Sequence, residues 1–80
     1  MKKYLNNNNG SRYEVLAMVE NATGDNAYLL KTEGNNYIVA IDWNEERKYW
    51  AHGHYYMNNR EAAVNNLQEE AALIVGAMAI

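Results

Sequence analysis

The sequence predicts an α+β domain: a four-stranded antiparallel β-meander followed by one long C-terminal α-helix packed on one sheet face. Residues 12–57 contain four segments that are rich in β-branched and aromatic residues or that alternate apolar and polar residues. These segments are separated by polar runs rich in Asn and Gly, as between strands. After residue 58, apolar residues recur at every third or fourth position, the period of one helix face. We therefore expect β-β-β-β-α in a single domain of residues 1–80.

The first strands are predicted at residues 12–20 and 27–32. Residues 12–20 alternate well and carry apolar residues on both faces, which favours an inner strand. Residues 21–26 have the composition of a turn. Residues 1–11 are weakly patterned, and we expect a loop or a poorly ordered N-terminus there. The Asn9-Gly10 pair signals a hairpin only between apolar flanks, and its left flank supplies few apolar residues.

The stretch from Tyr37 to Met57 predicts a central hairpin with a polar turn at residues 44–47. A loop of about four residues pairs Trp43 with Lys48 and puts Trp50 beside Ile41, whereas one residue more flips every partner to the other face. We prefer the longer loop, because it makes a largely apolar face for the helix. In that register His52, His54 and Asp42 face away from the helix.

The helix is predicted to begin directly after Asn58. The run Asn58-Asn59-Arg60-Glu61 offers an N-cap with an acid three residues on, a capping-box variant. One apolar face is predicted to consist of Val64, Leu67, Ala71, Ile74 and Met78, and the opposite face of Glu61, Asn65, Gln68, Glu69 and Ala72. A single helix covers one face of a sheet. We therefore expect the other face to be open to a partner.

Composition excludes several classes of function. The chain has no cysteine, which excludes a disulfide framework and a thiolate metal site. Its net charge of −3 argues against a generic nucleic-acid binder. The N-terminal lysines are followed by asparagines instead of the apolar core of a signal peptide, and the last ten residues are too few to span a bilayer. We expect a cytoplasmic protein without membrane contact and without a cofactor.

No catalytic set is apparent. The only serine, Ser11, falls in a predicted loop, and no glycine pattern forms a phosphate loop. His52 and His54 occupy alternate positions of a strand, so their side chains share one face. A metal site would need a third ligand, from Asp42 or a glutamate. Hydrogen-bonded surface histidines explain the pair more simply, so we expect neither a metal nor enzymatic activity.

The aromatic residues around the central turn indicate a binding surface. Trp and Tyr dominate interface hot spots. The predicted partner-binding residues are Trp43, Glu45, Glu46, Trp50, His52, His54 and Tyr56. Aromatic side chains on an open sheet could also stack single-stranded nucleic acid. Few cations lie nearby, so we expect a protein partner.

The apolar C-terminus predicts self-association. The run from Ala71 to Ile80 is apolar on all sides of the helix, which indicates burial on all sides. A homodimer through this helix would bury Ile74, Val75, Met78 and Ile80. A homo-oligomeric structural protein is therefore a further alternative.

The run Trp50-Ala51-His52-Gly53-His54-Tyr55-Tyr56, followed by a turn and an Asn/Glu-capped helix, resembles a pattern in short uncharacterised proteins of phages and mobile elements. The resemblance covers residues 37–70. Such proteins are similar in size and acidity to anti-CRISPR proteins and other phage inhibitors of host defence. The resemblance implies a non-catalytic inhibitor that binds and blocks a host defence complex.

Overall fold

The computed structural model describes residues 3–76, and their side chains as far as residue 74. It contains one five-stranded antiparallel sheet with strand order β1-β2-β3-β4-β5 and one C-terminal helix. The elements are β1 (Lys3–Asn6), β2 (Arg12–Glu20), β3 (Asn26–Lys31), β4 (Asn36–Asn44), β5 (Tyr49–Met57) and α1 (Arg60–Gly76). The α+β class, the meander and the C-terminal helix are therefore confirmed, whereas the predicted number of four strands is wrong.

The additional strand is β1, in the segment predicted to be a loop. Its residues pair with β2 from Lys3 opposite Val15 to Asn6 opposite Arg12. The turn between β1 and β2 is stabilised by a hydrogen bond from the Asn9 amide to the Asn7 side chain, at 3.0 Å. Gly10 follows with φ +90°. This is a type I turn closed by a left-handed glycine, a common three-residue hairpin loop. An asparagine-rich segment thus forms a hairpin.

The start of the helix differs by one residue from the prediction. Asn59 is the N-cap, since its side-chain oxygen accepts a hydrogen bond from the Ala62 amide at 3.0 Å. Asn58 adopts φ +52°, and its main-chain amide donates a hydrogen bond to the side chain of Asn36, the first residue of β4. Two adjacent asparagines therefore end the strand and start the helix, without the predicted capping box.

The first core lies between the sheet and α1. Val39 and Ala27 on the sheet and Ala63 on the helix are completely buried, and Leu67 packs beside them. Val64 and Ile74 are half-buried at its margin. The predicted apolar helix face is confirmed over the described residues, and the predicted polar face is exposed. The prediction did not include Ala63.

The other sheet face is a second core, so the predicted open face is wrong. Leu30 and Ala40 are completely buried on this side, and Ile38 is 4% exposed. The remaining members of this cluster are Leu5, Trp43, Tyr13, Val15, Tyr28 and Trp50. Burial of one such aliphatic side chain contributes about 1.5–3 kcal/mol to the stability of the folded state. In the described part of the sheet, the aromatic side chains of this cluster therefore pack in a core instead of forming an open binding face.

Strong curling of the sheet closes this second core. In a flat sheet β1 and β5 would lie roughly 19 Å apart, at four strand spacings. Instead the Asn8 amide, in the β1–β2 loop, donates to the Lys48 carbonyl oxygen at 2.8 Å. Tyr13 of β2 contacts Trp50 of β5 edge to face, with ring centroids 5.5 Å apart. The sheet is therefore rolled into a partly closed barrel, and α1 packs on its outer side.

Neither predicted register of the central hairpin is correct, because Trp43 lies opposite Trp50 instead of Lys48. The faces nevertheless match those of the alternative that we did not prefer. Ile41 lies opposite His52 and Val39 opposite His54, so both histidines are on the helix side. The loop is residues 45–48, one residue later than predicted. The pairing of β4 with β5 is interrupted at Asp42, which has φ +60°, and resumes with Trp43 opposite Trp50.

A buried asparagine holds the end of β4 beyond this irregularity. Asn26 is 7% exposed, and its side chain accepts from the Trp43 amide at 2.8 Å and donates to the Trp43 carbonyl at 3.3 Å. The Asn26 side chain thus makes the two hydrogen bonds to Trp43 that a further main-chain residue of β3 would otherwise make. Because the strand continues through Asp42 with its side-chain faces switched, Trp43 points into the second core instead of toward the helix.

Candidate functional site

The two tryptophans predicted to bind a partner lie in the second core. Trp43 is only 8% exposed and packs against Trp50, with ring centroids 6.1 Å apart. Trp50 is half-buried, and its indole covers Gly53, where an added Cβ would lie 2.7 Å from the indole nitrogen. The Tyr55 hydroxyl would lie 2.8 Å from the same Cβ, so the aromatic side chains around Gly53 leave no room for a side chain there.

The other predicted residues of β5 are on the helix side. Tyr56 is half-buried against the first core, whereas His52 and His54 are exposed. The Nδ1 atom of His54 lies 2.7 Å from the side-chain oxygen of Asn66 on α1. Among residues 3–76, His, Cys, Asp and Glu form no group of three that could hold a metal ion, so the third ligand that a site at His52 and His54 would need is not found there.

The acidic turn is exposed and well ordered by its own side chains. Glu45 accepts hydrogen bonds from Lys48 Nζ at 2.6 Å and from the Trp43 indole nitrogen at 2.7 Å. These two bonds, that of Lys48 first, hold the pKa of Glu45 below its ordinary value. Glu46 is exposed and forms no ion pair within the described part of the chain. The seven predicted residues therefore divide between two sides of the sheet and one turn.

The C-terminal prediction is tested only in part by the structure. Ile74 is half-buried against the first core, and its carbonyl accepts a hydrogen bond from Asn21 at 3.2 Å, so its side chain is already packed within the monomer. The Val75 side chain, Met78 and Ile80 lie outside the described residues. On the helix surface, Leu73 is 72% exposed.

The two edges of the sheet differ in how they are protected. β1 has four residues, begins with Lys3, and places Tyr4 under the guanidinium of Arg12, 3.8 Å from the ring centroid. Short strands and lysines discourage pairing with other chains. β5 has nine residues, Tyr49 to Met57, without Lys, Arg, Asp, Glu or Pro. Within residues 3–76, its outer edge has no strand partner.

Three large hydrophobic side chains are exposed on this unprotected edge strand: Tyr49, at 39%, and the more exposed Tyr55 and Met57. Tyr55 is 65% exposed and Met57 is 81% exposed. Tyr55 and Met57 border a recess of about 320 Å³ that continues over the start of β4. The other lining residues are Thr32, Asn36, Tyr37, Ile38 and Tyr56. We take the outer edge of β5 with Tyr55 and Met57 as the candidate interface and call it the β5 edge.

Sequence reasoning did not select Tyr55 and Met57, because it assigned them to the helix-facing side. A signal was nevertheless present: β5 is the last strand of a meander, which makes it an edge, and it lacks charged residues and proline. Comparisons of the chain with protein-family models, curated proteins and solved structures give no match. In residues 3–76, no helix is both long and apolar enough to cross a membrane.

Proposed function

We propose that the protein is a small non-catalytic protein-interaction domain that binds an extended segment of its partner along the β5 edge. One observation carries the proposal: a nine-residue edge strand without charge or proline bears Tyr55 and Met57, 65% and 81% exposed. Strand addition uses main-chain hydrogen bonds for affinity and side-chain pockets for specificity. The recess beside these residues would receive a side chain of the partner.

The resemblance to phage and mobile-element proteins suggests the partner class. We propose that the partner belongs to a host defence complex in the cytoplasm, and that occupation of its surface inhibits it. Binding to single-stranded nucleic acid is the weaker alternative. The sheet aromatics that it requires, Tyr13, Tyr28, Trp43 and Trp50, pack in the second core.

The test begins with capture of the partner from extracts of the source cell and continues with the purified pair. We expect Tyr55→Ser and Met57→Ser each to weaken binding about 30-fold, the level of a hot-spot residue. Ala51→Lys should weaken it too, because Ala51 is exposed on the same strand and lysine opposes edge pairing. Met18→Ser is the matched control, since Met18 is 42% exposed on β2, away from this edge. Unchanged affinity in all three β5 variants would contradict the proposal.

A further inference from the structure

The sequence of β5 is nearly symmetric about Gly53. If two copies of β5 pair antiparallel with Gly53 opposite Gly53, each residue meets the one equally far on the other side. Large Tyr55 then faces small Ala51, and His52 of each copy faces His54 of the other. A two-fold interface requires this kind of self-complementarity.

Charges at the ends of the strand fit the same pairing. It brings the turn before β5 in one copy to the residues after β5 in the other. Glu46, in the turn of one copy, and Arg60, at the start of α1 in the second copy, then lie at the same end of the interface. Both are exposed, and neither forms an ion pair within residues 3–76. The strand between them carries no charge that would be buried or repelled.

The pairing collects four imidazoles on one face of the joined sheet. His52 and His54 both lie on the helix side and are exposed. Directly opposite side chains are about 5 Å apart and alternate ones about 7 Å, so the four Cβ atoms lie about 4.3 Å from the centre. An imidazole ring plus a Zn–N bond of about 2.1 Å spans that distance.

The structure already prepares one of these histidines as a ligand. The side-chain oxygen of Asn66 accepts from His54 Nδ1 at 2.7 Å, so in the neutral ring Nε2 keeps the lone pair that a metal requires. Metal-binding histidines usually have such a second hydrogen bond, which fixes the tautomer and the ring. Within the described part of one chain, no third ligand joins these two histidines, and zinc needs three or four.

We propose that a second copy of the chain occupies the β5 edge and that Zn²⁺ bound by His52 and His54 of both copies joins the two. This inference rests on the proposed function, because it uses the same edge and names an occupant. The dimer has a consequence for the proposed function. In the zinc-linked dimer, the β5 edge is covered by the second copy and cannot bind another partner. Metal availability would then decide how much monomer is free to bind.

The experiment uses untagged full-length protein, first treated with a chelator and then titrated with ZnCl₂. Light scattering should show a change from 9.2 kDa to twice that mass, with one zinc per two chains after gel filtration. His52→Ala and His54→Ala should each abolish the change. Asn66→Ala should weaken zinc binding about 10–100-fold. Asn65→Ala, at the exposed neighbouring position, is the matched control and should behave as wild type.

The register is tested by cross-linking, which is clean because the chain has no cysteine. Ala51→Cys and Tyr55→Cys chains should form a disulfide with zinc when mixed, and neither should do so alone. Zinc bound once per monomer, no zinc binding, or zinc binding that survives loss of both histidines would overturn the proposal. If zinc has no effect while Tyr55→Ser still weakens partner binding, this inference fails and the proposed function stands.

Discussion

Replacing Asn26 by alanine tests how the end of β4 is held. The change removes the acceptor of the Trp43 amide, at 2.8 Å, and the donor to the Trp43 carbonyl, at 3.3 Å. A buried main-chain group without a partner costs about 1–3 kcal/mol. Two such groups give a loss of about 2–6 kcal/mol in the free energy of unfolding. For a domain of this size, that corresponds to a drop in Tm of at least about 8 °C.

The loss should be measured by urea unfolding, followed by circular dichroism and tryptophan fluorescence together. Asn35→Ala is the matched control, because Asn35 is exposed and its side chain makes no hydrogen bond within the described residues. Its unfolding free energy should stay within about 0.5 kcal/mol of wild type. Asn26→Asp should not restore stability, since it cannot donate to the Trp43 carbonyl and it buries a charge. Equal stability of the Asn26 and Asn35 variants would refute the reasoning.

Three further changes test other parts of the structure. Gly53→Ala should cost about 1–2 kcal/mol and shift the fluorescence of Trp50, whose indole nitrogen would lie 2.7 Å from the new Cβ; unchanged emission would contradict this packing. Asn59→Ala should cost about 1 kcal/mol in thermal unfolding through loss of the N-cap, and Asn59→Asp should not. Lys48→Met should raise the pKa of Glu45 in an NMR titration, because the change removes the hydrogen bond from Lys48 that lowers this pKa most. Since that pKa is lowered by folding, the stabilisation by Glu45 is present above the ordinary glutamate pKa of about 4.3 and is lost as the pH falls through the folded value.

Local patterns in the sequence were sufficient to predict most elements. The alternation of residues 12–20 predicted β2 with its observed ends, and the helix face with Val64, Leu67 and Ile74 was correct. β1 was not predicted, because its turn depends on side-chain hydrogen bonds of asparagines. The repeated spacing Asn-x-x-Gly, at Asn7 and at Asn21, was an available signal: each asparagine accepts an amide two residues on, and each glycine has positive φ.

The two faces of the sheet could not be assigned from alternation alone. Asp42 has φ +60°, and beyond it Trp43 turns to the opposite face from the one that its parity with Ile41 predicts. The curling of the sheet is also a long-range property, fixed by contacts such as that of Asn8 with Lys48. For these reasons Trp43 and Trp50, which were predicted to lie on an exposed binding surface, pack in the second core. The most exposed residues of β5, Tyr55 and Met57, lie on an edge strand. The order of the strands identifies such an edge, whereas the alternation of apolar and polar residues does not.

Residue-resolved amide hydrogen exchange, with and without the captured partner, tests the central claim most directly. In chelated, monomeric protein, the outward-facing amides of Tyr49–Met57 should exchange rapidly, while those directed at β4 should be protected. Adding the partner should protect the rapid set and leave β1 unchanged. Full protection of β5 in the free monomer, or partner-induced protection confined to the helix or to β1, would contradict binding at the β5 edge.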